Sequence, residues 1–354
     1  METQVLEVDP LEDARSIYKQ AAETLASGQL VAIPTETVYG LGADAFRPEA
    51  LAAVFAAKER PAFDPLILHL ASSRQLEDIV SVPEEMEEMV AALAEAFWPG
   101  PMTLVLPKKP AVPDLATSGL PTVAVRVSAH PVMRALCREL GRPIAAPSAN
   151  RFGHISPTNA DAVMKELGGR IPLILDAGAC SEGLESTILL PVLDEKGSPA
   201  VRILRQGPLT KERIRTVARV VKPKKPARTA EEAREAQGTA PAVAPGQLQS
   251  HYAPAKPLVL QNPRHPFPME QGTAYGLISY KGDSPLAQQE GWVQSMPLSP
   301  GSGRLVEAAV RLFAVMRRMD EDPAVQVIVA EELPETGLGA AMMDRLRRAS
   351  APRA

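Results

Sequence analysis

Short apolar runs rich in β-branched residues alternate with segments of helical period through the first two hundred residues. The runs cover residues 30–34 (LVAIP), 66–70 (LILHL), 103–106, 123–127 (VAVRV), 144–146, 173–176, 187–190 and 201–204. Between them, residues 11–27, 48–58, 84–97, 131–140, 159–167 and 210–221 read as helices. Strands separated by helices demand an α/β sheet with crossovers. Residues 103–106 and 123–127 have no helix between them, so some neighbours run antiparallel and the sheet is mixed. The expected class is therefore α/β, a twisted mixed sheet covered by helices.

A second, smaller layer follows. Residues 258–260, 275–279 and 325–330 read as buried strands, and residues 304–319 as an amphipathic helix. Leu305, Ala309, Leu312, Val315, Met316 and Met319 form its apolar stripe. This suggests a small Rossmann-like α/β domain. It lacks the glycine fingerprint for dinucleotides, because Gly337 and Gly339 have no third glycine at the right spacing. Proline marks the boundary. The chain has 35 prolines in 354 residues, about twice the usual share. Six lie between residues 223 and 257 among charged and small residues with no apolar period. The expected division is residues 1–220, a linker over 221–256, and residues 257–354.

Composition excludes several classes. The net charge is −4 and aromatics make up 4%, which disfavours a general nucleic-acid binder. Cys137 and Cys180 stand alone in sequence, so neither a disulfide framework nor a zinc cluster can be read. No apolar run is long enough for a membrane span. The acidic N-terminus lacks the apolar region of a signal peptide, and the expected location is the cytoplasm.

Five segments carry more polarity than packing requires. Pro34–Thr35–Glu36–Thr37 follows a strand, and its hydroxyls suit a turn that caps backbone groups. Lys58 and Arg60 end a helix, where cations are favoured by the macrodipole. Together they also suit a clamp on anionic oxygens, provided the helix breaks before Pro61. Arg126 sits inside an apolar strand, either on a wet face or paired. Ser148 and Asn150 follow a strand at its carboxyl end, where open α/β sheets bind ligands; Asx or Ser turns are the plain alternative. Glu185–Ser186–Thr187 enters a strand, with Arg202 and Arg205 downstream. His69 ends the LILHL strand, where a satisfied core histidine is the plain reading. Thr35, Thr37, His69, Ser148, Asn150 and Ser186 share one property: all lie at or near strand ends, flanked by proline or glycine.

The segments PTETVYGLG, AAKERP with PLILH, FWPGPMTLVL, VAVRVSAHP, PIAAPSANRFGHISPT, LESTI and RILRQGP, taken in order, resemble the YrdC-type L-threonylcarbamoyl-AMP synthases. SHYAP, the proline-rich linker and the terminal MDRLRRAS are similar to the longer, two-domain members. The resemblance implies an α/β catalytic domain with a concave, positive cavity. It implies a nucleotidyltransferase that makes threonylcarbamoyl-AMP and pyrophosphate from L-threonine, bicarbonate (or CO2) and ATP. A partner complex then transfers the threonylcarbamoyl group to the adenosine beside the anticodon of tRNA. The family's KxR and SxN signature falls on Lys58, Arg60, Ser148 and Asn150, with Lys58 and Arg60 as the catalytic pair. Thr37, His69, Arg126, Ser148 and Ser186 would line the threonine site. Lys58, Arg60, Asp64, Thr122, Asn150, Thr158, Arg202 or Arg205, and Tyr252 would line the ATP site. Mg2+ would be held mainly by phosphate oxygens and water, with no metal cage from the protein. Direct binding of tRNA is not expected to be strong. The linker around Tyr252 would close over the cavity as a lid.

One position departs from the pattern. Many members carry Asn where this chain has Asp64, and an ionised carboxylate accepts hydrogen bonds but donates none. Asp64 is expected to turn away, bind a ribose hydroxyl or reach a metal. Two other readings remain: an RNA-binding module, and a carbamoyl-transfer domain of the hydrogenase-maturation type, which is similar in this region.

Overall fold

The structure is a computed structural model that describes residues 1–9, 14–61, 63–222 and 251–352. The strands of the first sheet are β1 (Gln4–Glu7), β2 (Val31–Ile33), β3 (Gly40–Asp44), β4 (Ile67–His69), β5 (Met102–Pro107), β6 (Thr122–Arg126), β7 (Ile144–Ala145), β8 (Leu173–Asp176), β9 (Thr187–Leu193), β10 (Pro199–Arg205) and β11 (Val220–Val221). They lie in the order β1-β8-β2-β3-β7-β4-β6-β5-β9-β10-β11. Parallel and antiparallel pairs mix: β4 runs parallel to β6 and antiparallel to β7, while β5 runs antiparallel to β6 and parallel to β9. A second sheet contains β12 (Leu258–Gln261), β13 (Tyr275–Ser279), β14 (Trp292–Pro297) and β15 (Val327–Glu331), ordered β12-β15-β13-β14 and parallel throughout.

Local chemistry explains the helices that were legible. Pro48–Lys58 begins on a proline that needs no amide partner and stops at Glu59, whose φ is 55°. Pro131–Leu140 begins the same way, with the His130 ring accepting from the Val132 amide, and ends on left-handed Gly141. Glu84–Phe97 carries Glu84, Glu85 and Glu87 in its first turn, where the macrodipole favours them. The helix read from residue 11 is described over Arg15–Ala26, and residues 10–13 lie outside the described residues. Residues 210–221 do not form one helix. Thr210 caps a single turn, Lys211–Ile214, and the chain then enters β11, which pairs parallel with β10. Strands β1, β3 and β14 and the helix Leu338–Ser350 add to the elements read from sequence.

The middle of the first sheet has two different faces. One packs Leu68, Leu104, Val125 and Leu189 into the main core. The other carries a small group, Ile67, Val105, Ala124 and Ile188. Alternation along a strand puts His69 on the face of Ile67 and Arg126 on the face of Ala124. The register pairs them directly, Ile67 with Ala124 and His69 with Arg126. Polar side chains therefore rise beside each other from the end of this second face. The two sheets meet here as well. Val38, Ile155 and Leu184, on loops beside the first sheet, share a buried cluster with Phe313, Met316, Met342 and Leu346, on helices that cover the second. At Gly183 (φ 71°) a Cβ would lie 2.4 Å from the Val310 backbone, so only glycine permits this approach to the helix Leu305–Glu321. Among the described residues, no helix is long and apolar enough to cross a membrane.

Candidate active site

A cavity opens over the ends of β4, β6, β9 and β10. Its walls include Thr35, Thr37, Arg60, His69, Arg126, Ser148, Glu185, Ser186, Arg205, His251 and Tyr252. The Thr35 hydroxyl accepts from the amides of Thr37 (3.1 Å) and Val38 (3.2 Å) and lies 2.8 Å from the Thr37 hydroxyl. This is the hydroxyl-capped turn expected from the sequence. It also aims Thr37 at Arg126, whose Nη1 donates to the Thr37 hydroxyl at 2.9 Å.

Arg126 is buried and paired. Nη2 lies 2.7 Å from Glu36 Oε1, and Nε donates to the Gly100 carbonyl at 3.2 Å. One N–H on each terminal nitrogen remains for a ligand. The Glu36 carboxylate also accepts from the Ala129 amide (3.0 Å) and from the Ser128 hydroxyl. Burial alone would raise its pKa, but Arg126 and these donors prevail and hold it at about 2. His69 goes the other way: burial, with Arg126 nearby, takes it down to about 3. Its imidazole is thus neutral, and its buried Nδ1 has no protein partner.

Ser186 lies 2.8 Å from the Thr103 hydroxyl. Arg205 donates to the Ser186 carbonyl and hydroxyl, both at 3.1 Å. The sequence left Arg202 and Arg205 open, and here Arg205 lines the cavity. Arg202 borders a separate groove with Asp194 and Arg219.

The Lys58–Arg60 pair is separated by the helix stop, as the proline suggested. Lys58 is fully buried, and its Nζ donates to the Ser148 carbonyl (2.5 Å) and the Asn150 carbonyl. Burial, reinforced by Arg60, pulls its pKa well below the ordinary lysine value. Arg60 donates to the Asp64 and Pro65 carbonyls at 3.2 and 2.9 Å, and its Nη2 is 2.9 Å from Asp64 Oδ2. Asp64 therefore turns into the protein, onto Arg60. Burial raises its carboxyl despite the opposing charges of Arg60, Lys58 and Arg205. The Asn150 amide nitrogen donates to Arg151 and His154 carbonyls, while its oxygen has no protein partner.

His251 and Tyr252 close the cavity on the side of the second sheet. Tyr252 is 1% exposed and has φ 62°, a left-handed conformation that is strained for an aromatic residue. Its ring stands 4.2 Å from that of His251 and 5.7 Å from that of Phe313. Two further residues of the sequence reading, besides Arg202, lie elsewhere. Thr122 is at the far end of β6, roughly 13 Å along the strand from Arg126. Thr158 borders a groove with Phe313 and Arg317. Residues 223–250, most of the expected linker and lid, lie outside the described residues.

Sequence reasoning gave no role to Glu36 or Glu185, though both lie in segments it singled out, and passed over Arg345. Glu36 had a signal: one acidic residue between two threonines after an apolar strand. Arg345 had another, an arginine inside the buried stripe of Ala341, Met342, Leu346 and Ala349.

The Sua5/YciO/YrdC family, described as "Telomere recombination", matches residues 23–207. The chain belongs to this family. The "Threonylcarbamoyl-AMP synthase, C-terminal domain" family matches residues 209–351. A threonylcarbamoyl-AMP synthase of Pyrococcus abyssi is 41% identical over 332 residues, 93% of each chain. One from Bacillus subtilis is 38% identical over 350 residues, 94% of this chain and 93% of that one. The crystal structure of P. abyssi Sua5 complexed with L-threonine superposes with a TM-score of 0.81 at 36% identity, covering 98% of both chains.

Proposed function

We propose that this protein is an L-threonylcarbamoyladenylate synthase, converting L-threonine, bicarbonate and ATP to threonylcarbamoyl-AMP and pyrophosphate. The observation that carries the reading is the convergence of Thr37, His69, Ser148 and Ser186 around Arg126, which keeps two N–H groups uncommitted. The likeness to a chain solved with L-threonine supports it.

The chemistry follows from these groups. Threonine's carboxylate docks on the uncommitted N–H groups of Arg126 as a charge-assisted pair. Neutral His69 offers an acceptor to the hydroxyl or amine, and a neutral acceptor leaves the carboxylate pair intact. The amine attacks bicarbonate, forming the C–N bond of a carbamate with loss of water. A carbamate oxygen then attacks the α-phosphorus of ATP, and the bond to the pyrophosphate oxygen breaks. Holding these reactants in register is worth several kcal/mol in favourable cases, on the order of 7–11. Arg60 and Arg205 face the cavity and stabilise charge on the phosphates, with Lys58 fixing the Ser148–Asn150 loop behind them. Asp64 and Asn150 support the phosphate side, and Tyr252 forms its outer wall. ATP is taken as its Mg2+ complex, the metal bound by phosphate oxygens and water. The product is delivered to a separate tRNA-modifying complex in the cytoplasm, without strong binding of tRNA by this chain.

The test is direct. Protein incubated with ATP, bicarbonate and L-threonine should release pyrophosphate only when threonine is present, with threonylcarbamoyl-AMP visible by mass spectrometry. Threonine-independent release, or none, refutes the reading. Saturable micromolar retention of tRNA on filters would overturn the expectation about tRNA.

A further inference from the structure

Arg345 has the bulkiest fully buried side chain among the described residues, and it lies outside the cavity. It nevertheless touches two cavity walls. Its Nε donates to Glu185 Oε2 at 3.0 Å, and the guanidinium carbon sits 5.4 Å over the Tyr252 ring. Nη1 donates to the Gln206 carbonyl at 2.6 Å and to Asp344 at 3.0 Å. The helix that carries it, Leu338–Ser350, packs with the second sheet, whereas Glu185 and Gln206 belong to the first domain, just before β9 and just after β10. Only a planar guanidinium can stack its face on an aromatic ring and hydrogen-bond two neighbours through its edge. The other Glu185 oxygen accepts from Ser156 at 2.5 Å, so its carboxylate is compensated from both sides of the domain contact. Tyr252 needs such a restraint, because its left-handed backbone persists only where the surroundings enforce it.

We propose that Arg345 is the positioning residue through which the C-terminal layer shapes the active site, holding Tyr252 over the cavity and neutralising Glu185 beneath it. The C-terminal layer then has a positioning task at the active site, although none of its described residues from 257 onward lines the cavity. The kinetic consequence rests on the synthase reading; the structural one does not.

Two measurements test this. Arg345→Lys keeps the charge and loses the stacked fork. In protein without substrate, hydrogen exchange at the His251 and Ala253 amides, which bond to Arg348 and Gly153 carbonyls, should accelerate at least tenfold. Exchange in β2 and β8 should stay unchanged. Unchanged exchange at 251–253 overturns the proposal, whatever the enzyme does. In the threonine-dependent pyrophosphate assay, Arg345→Lys should raise KM for ATP about tenfold and KM for threonine less than twofold. The same substitution placed on Tyr252→Ala should add less than twofold, because the ring it holds is gone. Additive losses would mark Arg345 as a packing residue only and overturn the positioning role. Absence of threonine-dependent turnover in the unaltered protein would instead refute the synthase reading and leave the exchange result standing. If Arg345→Lys fails to fold, Glu185→Gln, which removes the partner charge and keeps the shape, should show the same exchange pattern. Its silence would count against the proposal equally.

Discussion

Replacing Glu36 by Gln keeps the side chain's shape and removes the charge that holds Arg126. Glu36 is 6% exposed, so solvent screens the pair little. Its carboxyl is held at about 2 instead of the ordinary 4.5. At about 1.4 kcal/mol per pH unit, that displacement corresponds to about 3 kcal/mol of stability at neutral pH. The folded-state value lies below the unfolded one. The contribution is therefore complete above the unfolded value and disappears as pH falls through about 2. By pH 3 it has shrunk to about 1 kcal/mol. Glu36→Gln should thus unfold about 3 kcal/mol more easily than the unaltered chain at pH 7, with the gap closing to about 1 kcal/mol at pH 3. Urea titrations at pH 7, 5, 4 and 3, followed by intrinsic fluorescence and circular dichroism together, read that gap. A deficit that stays constant with pH, or one under about 1 kcal/mol at pH 7, would show that Glu36 does not carry the Arg126 charge.

Other consequences are simpler to measure. Lys58→Ala should lower turnover at least a hundredfold and loosen the Ser148–Asn150 loop, seen as faster hydrogen exchange there; near-normal rates would remove Lys58 from the site's support. Asp64→Asn should lower KM for ATP severalfold and steepen its salt dependence, because one buried negative charge beside Arg60 is lost; an unchanged KM at two ionic strengths would contradict this. His69 titrates at about 3, so KM for threonine should show no inflection near pH 6.5, and one that vanishes in His69→Asn would disprove the neutral-acceptor role. Gly183→Ala should lower the melting temperature, since a methyl group cannot fit 2.4 Å from the Val310 backbone; no change would mean that the two sheets separate easily.

The sequence was most readable where one local rule acted alone. The helices Pro48–Lys58, Glu84–Phe97 and Pro131–Leu140 have punctuated starts and a clear period, and they stand where expected. Strand β3 (GLGAD) had no such mark. It is buried on both faces, and Gly42 sits in close quarters there: a Cβ would lie 2.4 Å from Ile33 Cδ1 and 3.1 Å from the Val31 carbonyl oxygen. Two glycines in five residues read as a turn until the neighbouring strand is known. Strand β14 carries alternating exposed residues at a sheet edge, and the two residues of β11 are too few to show a period. The site followed the same division. Thr37, His69 and Ser186 were legible because they lie at or near strand ends, Arg126 as a charge inside an apolar strand, and the resemblance then supplied the roles expected of them. Arg205 is told apart from Arg202 only by the fold: it stands at the end of β10 against Ser186, whereas Arg202 pairs with Leu190 further along the strand. Glu36 and Arg345 were missed because each is defined by a charge that arrives from a distant part of the chain, Arg126 for one and Glu185 for the other.

The ion pair between Glu185 and Arg345 also sets an order in time. Synthesis adds about 5–20 residues each second. Arg345 follows Tyr252 by 93 positions, so roughly 5–20 s separate the two on a growing chain. During that interval the strand ends that bear Thr37, His69, Arg126 and Ser186 have all been made, while Glu185 still lacks its buried partner. The first sheet can assemble its floor early; its outer wall waits for the helix Leu338–Ser350 to dock. A nascent chain of this protein thus passes through a stage with a nearly complete pocket that has not yet been closed.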